Sequence, residues 1–156
     1  MPEQGFFFDS SGIVKRYANE IGTDWVRSIT TLDADNSIVI SKITAVEVAA
    51  ALARKLRLEE IGQSEYEMVI TDFEEDCLTQ YIRVEVNDEV INLARDLVAR
   101  RVLRAYDAIQ LASAIILNRD RKKAKLDPLV FISADDSLNS AAEPEGLKVD
   151  NPNFHV

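Results

Sequence analysis

The chain opens on Phe6-Phe7-Phe8, a short aromatic run that reads as a buried strand. Ser37-Ile38-Val39-Ile40 reads as a second buried strand, and Leu129-Val130-Phe131-Ile132 as another of the same kind. Between them the period changes. Ser11 to Tyr17 and Thr23 to Thr31 carry helical spacing, and Thr44 to Leu58 predicts a helix rich in Ala. Tyr66, Ile70, Phe73 and Cys77 recur at helical spacing and predict one face of a long helix. Tyr81 to Val86 alternates like a strand, and Asn87 then caps a helix lined by Val90, Leu93, Leu97 and Val98. Ala105 to Leu117 is apolar nearly all round, so that helix is expected to be buried on most of its surface. A short helix from Ser137 and a brief strand, Leu147-Lys148-Val149, complete the pattern. Strands separated by helices imply right-handed crossovers. The expected class is α/β, a central parallel β-sheet flanked by helices on both faces.

At 156 residues the chain fits one domain, 1–156. Apolar residues at 47% and charged residues at 29% allow both a core and solubility, which excludes a disordered or fibrous chain. No apolar run approaches the roughly 18 residues of a membrane span. The opening Met-Pro-Glu-Gln lacks the basic start and apolar stretch of a secretory signal. The single Cys permits no intramolecular disulfide, so a reducing cytoplasm is the expected compartment. On its helical stripe Cys77 reads as a core thiol. One His and one Cys cannot build a structural zinc site. A Ser-His-Asp triad would need His155, in a C-terminal tail expected to be mobile. The net charge of −9 repels nucleic acid at long range, yet it leaves a local binding groove open.

Acidic residues carry the candidate chemistry. In open parallel sheets, sites form outside the carboxyl ends of the strands. Asp9 directly follows the first strand, and Asp135 and Asp136 follow the Leu129–Ile132 strand after Ser133-Ala134. Glu47 lies near the start of the helix after the second strand, so it is expected on the same rim. Asp107 opens the buried helix. Each has a second reading. Asp9 caps the Ser11 helix, Asp135 or Asp136 caps the Ser137 helix, and Asp107 with Gln110 forms a capping box. Glu47 has no cation at i±3 or i±4, the first basic residue downstream being Arg54, so no helical salt bridge explains it. It is either a solvated surface acid or an acid that something else neutralises. If Asp9, Glu47, Asp107 and Asp135 converge, their repulsion calls for a counter-ion. Hard carboxylate oxygens without His or Cys select Mg²⁺ or Mn²⁺. Such an ion lowers the pKa of a bound water and clamps a phosphoryl oxygen, which is the chemistry of phosphodiester hydrolysis.

At these positions the sequence resembles the PIN-domain family, and especially its VapC-like ribonuclease toxins. Phe7-Phe8-Asp9-Ser10-Ser11-Gly12-Ile13-Val14-Lys15 is similar to the family's first strand and first acid. Ser41-Lys42-Ile43-Thr44-Ala45-Val46-Glu47-Val48-Ala49-Ala50-Ala51 resembles its second acidic segment, and Leu103-Arg104-Ala105-Tyr106-Asp107-Ala108-Ile109-Gln110-Leu111-Ala112 its third. Phe131-Ile132-Ser133-Ala134-Asp135, with Gly146-Leu147 to Asn151-Pro152 beyond, resembles the fourth segment and the last strand. "Strand then Asp" is common, but four segments in order over residues 6 to 152 make a joint signal.

The resemblance implies a parallel sheet between helices and a Mg²⁺ (or Mn²⁺) centre that cleaves RNA. It carries Asp9, Glu47, Asp107 and Asp135 over as metal ligands and catalytic acids, with Asp136 able to share the last role. Ser11 would orient a carboxylate or a phosphate, and Ser133 would support the fourth acid. A homodimer and a cognate antitoxin protein are implied too. For the substrate phosphates, Lys15 and Arg16 stand one or two turns from Asp9 and are the favoured cations. Arg54-Lys55-Arg57, Arg100-Arg101-Arg104 and the Arg119–Lys125 cluster read as solvated faces or helix ends. The expected function is a metal-dependent endoribonuclease acting as the toxin of a type II toxin–antitoxin pair. The alternative is a non-catalytic PIN-like scaffold that binds RNA or protein. A haloacid-dehalogenase-like phosphohydrolase would need Asp-x-Asp where this chain has Asp9-Ser10-Ser11.

Overall fold

Phe7 and Phe8 point to opposite faces of a sheet, because successive residues of a strand alternate. The computed structural model describes residues 4–156. In it Phe7 packs with Val39 and Phe131 on one face of the sheet, and Phe8 with Ile38, Ile40 and Ile132 on the other. Phe7 stacks on Phe131 with ring centroids 5.8 Å apart. Phe7, Phe8 and Phe131 are fully buried, each contributing roughly 1.5–3 kcal/mol of apolar burial.

In chain order the elements are β1 (Gly5–Phe8), α1 (Ser10–Ile13), α2 (Thr23–Thr30), β2 (Ser37–Ser41), α3 (Thr44–Arg57) and α4 (Gln63–Thr79). They continue as β3 (Ile82–Val84), α5 (Asp88–Arg100), α6 (Ala105–Lys123), β4 (Val130–Ile132), α7 (Asp136–Ala142) and β5 (Lys148–Asp150). All strands pair in parallel, in the order β3-β2-β1-β4-β5. Helices α1 to α4 cover the Phe8 face; α5, α6 and α7 cover the Phe7 face. This is the expected α/β architecture. From β1 the chain builds outward through β2 and β3, then returns to the other side for β4 and β5. The direction therefore reverses between β1 and β4, and a crevice opens there beyond their carboxyl ends.

Most predicted elements stand where the pattern put them. Asn87 accepts the Val90 N–H at 3.0 Å as the cap of α5. In α6, Ala108 and every residue from Gln110 to Ile115 are buried. Cys77 is buried on α4 with Val69 and Phe73, and burial pushes its thiol pKa up, as expected of a core thiol. Other elements differ. The Ser11–Tyr17 helix is instead α1 followed by a 3-10 turn, Val14–Arg16. The Tyr81–Val86 strand shrinks to β3, because at the sheet edge it pairs with β2 alone and leaves Ile82 and Arg83 exposed. The C-terminal tail is pinned rather than loose. His155 stacks on Trp25 at 3.9 Å between centroids, and its Nε2 meets Asp150 Oδ1 at 2.8 Å. Among the described residues no helix is long and apolar enough to cross a membrane.

One glycine fixes how closely α1 approaches the sheet. A Cβ on Gly12 would stand 2.8 Å from the Ile132 carbonyl oxygen, a backbone atom that cannot swing aside. Gly12→Ala should therefore force α1 off β4 and cost roughly 1–3 kcal/mol. Thermal unfolding checks this; a midpoint equal to wild type would show that the contact is not limiting.

Candidate active site

The crevice beyond β1 and β4 holds a buried carboxylate. Asp9 follows β1 directly, is 3% exposed, and caps α1 by accepting the Gly12 N–H at 2.9 Å. Ser133 Oγ donates to Asp9 Oδ2 at 2.7 Å. Ser11 Oγ lies 2.8 and 2.9 Å from the two carboxylate oxygens and shares its hydrogen between them. Both hydroxyls are themselves steered by backbone. The Ala134 N–H donates to Ser11 Oγ at 3.0 Å, and the Asp135 N–H to Ser133 Oγ at 3.1 Å. The loop after β4 is thus tied to the residue after β1. Burial pushes the Asp9 carboxyl up to about 6, against the Ser133, Ser11 and Gly12 hydrogen bonds, and the negative charge of Asp107 adds to the rise.

Around Asp9 the other acids stand at helix starts. Glu47 lies in the first turn of α3, where Ser10 Oγ donates to its Oε2 at 3.0 Å and Gln110 Nε2 to its Oε1 at 2.9 Å. Gln110 also donates to Thr44 Oγ1 at 2.7 Å, while its own buried Oε1 has no partner. Asp107 lies in the first turn of α6 and accepts from Arg104 Nε at 2.9 Å. Asp135 caps α7 with Oδ1, accepting the Ser137 and Leu138 N–H groups at 2.9 and 3.2 Å. Its Oδ2 faces Arg104, 3.7 Å away. The Arg104 pKa is raised, first by the Asp107 hydrogen bond and charge, then by the charges of Asp135 and Glu47.

The second readings of these acids divide accordingly. Asp9 and Asp135 are caps and rim acids at once: capping takes one oxygen, while the other accepts from Ser133 and Ser11 in Asp9 and faces Arg104 in Asp135. Asp107 is not a cap, and no capping box forms, because Gln110 reaches across to α3. Asp136 turns away from the crevice to accept from Asn151 Nδ2 at 2.8 Å, so it does not share the place of Asp135. Lys15 and Arg16 are corrections. Lys15 is 4% exposed and pairs with Glu20 at 3.2 Å. Arg16 donates to Gln80 and Tyr81 at 2.8 and 2.9 Å and lies 3.6 Å from Asp76. The 3-10 turn sends both side chains into these internal networks instead of toward phosphate. Ser11 orients a carboxylate, the first of its two expected duties.

The donor types suit a hard divalent cation: four carboxylates without His or Cys, the buried Asp9 among them having no counter-charge. Among the described residues, however, no three acids, His or Cys stand close enough together to hold an ion. Arg104 spans Asp107 and Asp135, and Ser10 and Gln110 hold Glu47. The residue types suit such an ion, while the side chain of Arg104 occupies an Asp107 oxygen and faces Asp135.

Residues 6–144 match the family model for the PIN domain. The chain belongs to the PIN domain family. Similar solved structures include FitAcB from Neisseria gonorrhoeae, at 15% identity and TM-score 0.65 over 97% of this chain and 99% of that one. VapC20 from Mycobacterium tuberculosis, a toxin that cleaves the sarcin–ricin loop, is 14% identical at TM-score 0.59, covering 87% of this chain and 94% of that one. A toxin–antitoxin complex from Klebsiella pneumoniae is 17% identical at TM-score 0.57, with 94% and 97% covered. At these identities the likeness is one of fold. Among curated proteins, none matches the sequence significantly.

Two residues in contact with the acids of this PIN domain have partners that the sequence pattern did not show. Gln110 sits 63 positions from Glu47, a contact no local pattern reports. Arg104 read as part of a basic run, although its place three residues before Asp107 was a usable signal.

The buried Asp9 predicts how the metal-free PIN domain responds to pH. Its folded pKa of about 6 exceeds the ordinary 3.8, so between those values the folded state binds the extra proton. Stability therefore falls as pH rises through that window, by about 3 kcal/mol once the proton is lost. Asp9→Asn removes the charge and keeps the shape. In EDTA it should match wild type near pH 4 and be up to about 3 kcal/mol more stable at pH 7.5 by urea unfolding. A variant equally destabilised at both pH values would show that the carboxylate's hydrogen bonds outweigh its burial.

Proposed function

We propose that this PIN domain is a divalent-metal-dependent endoribonuclease and the toxin half of a type II toxin–antitoxin pair. The observation that carries the reading is the buried Asp9 carboxylate, lifted to about 6 at the crevice where the strand order reverses, with Glu47, Asp107 and Asp135 at helix starts around it. Mg²⁺ or Mn²⁺ held by these acids would polarise a phosphoryl oxygen and activate water. The protein's own part is to fix the oxygens beforehand. Ser11 and Ser133 aim Asp9, Ser10 and Gln110 aim Glu47, and the α7 N-terminus leaves one Asp135 oxygen facing the crevice. Such second contacts keep a donor set oriented before an ion arrives. The sarcin–ricin-loop cleavage by the similar VapC20 supports RNA as the substrate, and the Klebsiella toxin–antitoxin complex supports an antitoxin partner.

Asp107→Asn tests the reading. The variant should melt at or above wild type in EDTA, since it removes a like charge that acts on Asp9 and gives up only a pair with the exposed Arg104. Added Mn²⁺ should raise the wild-type midpoint more than the variant's, because a ligand of the folded state stabilises by mass action. On induced expression, wild type should arrest growth and degrade RNA, and the variant should do neither. Harmless expression of both would instead favour a binding scaffold.

A homodimer belongs to the same proposal. Leu78 on α4, Ile82 on β3 and Val46 on α3 are exposed apolar side chains, and an apolar groove lined by Ala45, Ala49, Ile70 and Phe73 lies between α3 and α4. Size exclusion with light scattering should give about 35 kDa, twice the 17.5 kDa chain. A species of one chain mass at micromolar concentration removes this claim.

A further inference from the structure

We propose that Arg104 is the cation that grips a substrate phosphate, parked on Asp107 and Asp135 until a divalent ion takes its place. The proposal rests on the nuclease reading above and deepens it by assigning the residue that binds the RNA backbone. Arg104 immediately precedes α6 in extended backbone, and its side chain makes no cap. Its Nε donates to Asp107 Oδ2 at 2.9 Å, and its terminal nitrogen lies 3.7 Å from Asp135 Oδ2. The two ends of this bridge differ in kind. The Asp107 and Asp135 side chains are 13% and 32% exposed, Asp135 being held by the α7 N–H groups it caps, whereas that of Arg104 is 80% exposed. The acids are mostly buried, and the exposed guanidinium is held to them by one hydrogen bond and by charge. An exposed pair of this sort is weak and easily exchanged.

A divalent ion held by Asp107 and Asp135 would claim the same oxygens. The guanidinium then loses its partners but remains within one side-chain length of the metal, where a phosphate would lie. Its planar fork suits two phosphate oxygens. The other cations near the rim are engaged elsewhere. Lys15 pairs with Glu20, Arg16 with Asp76, Lys42 with Glu85, and Arg100 and Arg101 with Glu145. Arg54, Lys55 and Arg57 lie in the last turn of α3, away from the first turn that carries Glu47. In a chain of net charge −9, a cation released at the site when metal binds solves the problem of attracting RNA.

The test compares wild type, Arg104→Ala and Arg104→Lys, full length, in EDTA and in Mn²⁺. RNA binding is read by fluorescence anisotropy with a short single-stranded phosphorothioate RNA whose integrity is checked on a gel. Mn²⁺ binding without RNA is read by electron paramagnetic resonance. In EDTA, where Arg104 is parked, Arg104→Ala should bind RNA within about twofold of wild type. In Mn²⁺ it should bind about tenfold more weakly, the loss of a charge-assisted contact, and Arg104→Lys should recover part of that loss. Mn²⁺ affinity in Arg104→Ala should equal or exceed wild type, since the competing cation is gone. A larger loss of RNA affinity in EDTA than in Mn²⁺ would make Arg104 a mere counter-ion of the fold and overturn the proposal. Weakened Mn²⁺ binding in Arg104→Ala would overturn it as well, by making Arg104 a support of the acids. Wild type that shows the expected coupling but leaves ordinary RNA intact would overturn the nuclease reading and keep Arg104 as an RNA contact. Wild type that binds no Mn²⁺ would overturn both.

Discussion

A carboxylate buried at the end of the central strand is the constraint around which this molecule is arranged. Asp9 accepts from Gly12, Ser11 and Ser133, yet its pKa still rises to about 6, so these donors do not repay the whole cost of burial. Several otherwise separate features answer to it. Gly12 must lack a Cβ because α1 is drawn against β4 where the Asp9 cap holds it. Ser133 must follow β4, and the next two backbone N–H groups must face the serine hydroxyls that steer the carboxylate. The Asp9 N–H also donates to the Ile132 carbonyl at 3.1 Å, extending the β1–β4 ladder one residue into the crevice. Strand pairing, helix entry and site geometry meet at one side chain.

Topology explains why acids from four distant segments lie on one side of the sheet. In a parallel sheet every strand ends on the same edge, and the helix after it starts on that edge. Helices α1, α3 and α7 follow β1, β2 and β4, and each brings its positive N-terminal end to the rim. Helix α6 follows another helix, so strand order does not place its start. Gln110, in its second turn, reaches Thr44 and Glu47 on α3 and fixes it there. The helix ends favour negative charge and so offset part of the mutual repulsion of the acids. Helix starts are both where a carboxylate is useful for capping and where it is available for chemistry. In Asp135 the cap takes one oxygen and the other faces the rim; in Asp9 the cap takes one and the serine hydroxyls hold the other.

Those same local rules explain what could be read from the chain. Strands β1, β2 and β4, the buried α6 and the α4 stripe were legible because burial on two faces, on most of a helix or on one face leaves a mark in residue spacing. The acids were legible because they follow strands or sit in apolar surroundings, as Glu47 does. What failed was direction. Lys15 and Arg16 are near Asp9 in sequence, but the helix tightens into a 3-10 turn after Ile13 and sends them to Glu20 and to Tyr81. Asp136 follows Asp135 directly, yet the cap uses the first and Asn151 claims the second. Gln110 was misread for the opposite reason: its local spacing fits a capping box, and its actual partners come from α3.

The two ways in which the rim acids are held differ in a manner that bears on function. Glu47 is fixed by Ser10 and Gln110, neutral groups that orient it without cancelling its charge. Asp9 is likewise fixed by hydroxyls and a backbone N–H. Even the half-buried Glu20 and Asp76 elsewhere in this chain carry partners of opposite sign, Lys15 and Arg16. The fold thus supplies compensating cations freely away from the crevice and withholds permanent ones within it. Among the described residues only the exposed Arg104 intrudes, on Asp107 and Asp135. Orientation without neutralisation is what a binding site for a cation requires, because donors already cancelled by fixed charges would have nothing left to offer an ion. That distinction between oriented and neutralised acids separates this crevice from an ordinary buried ion-pair network.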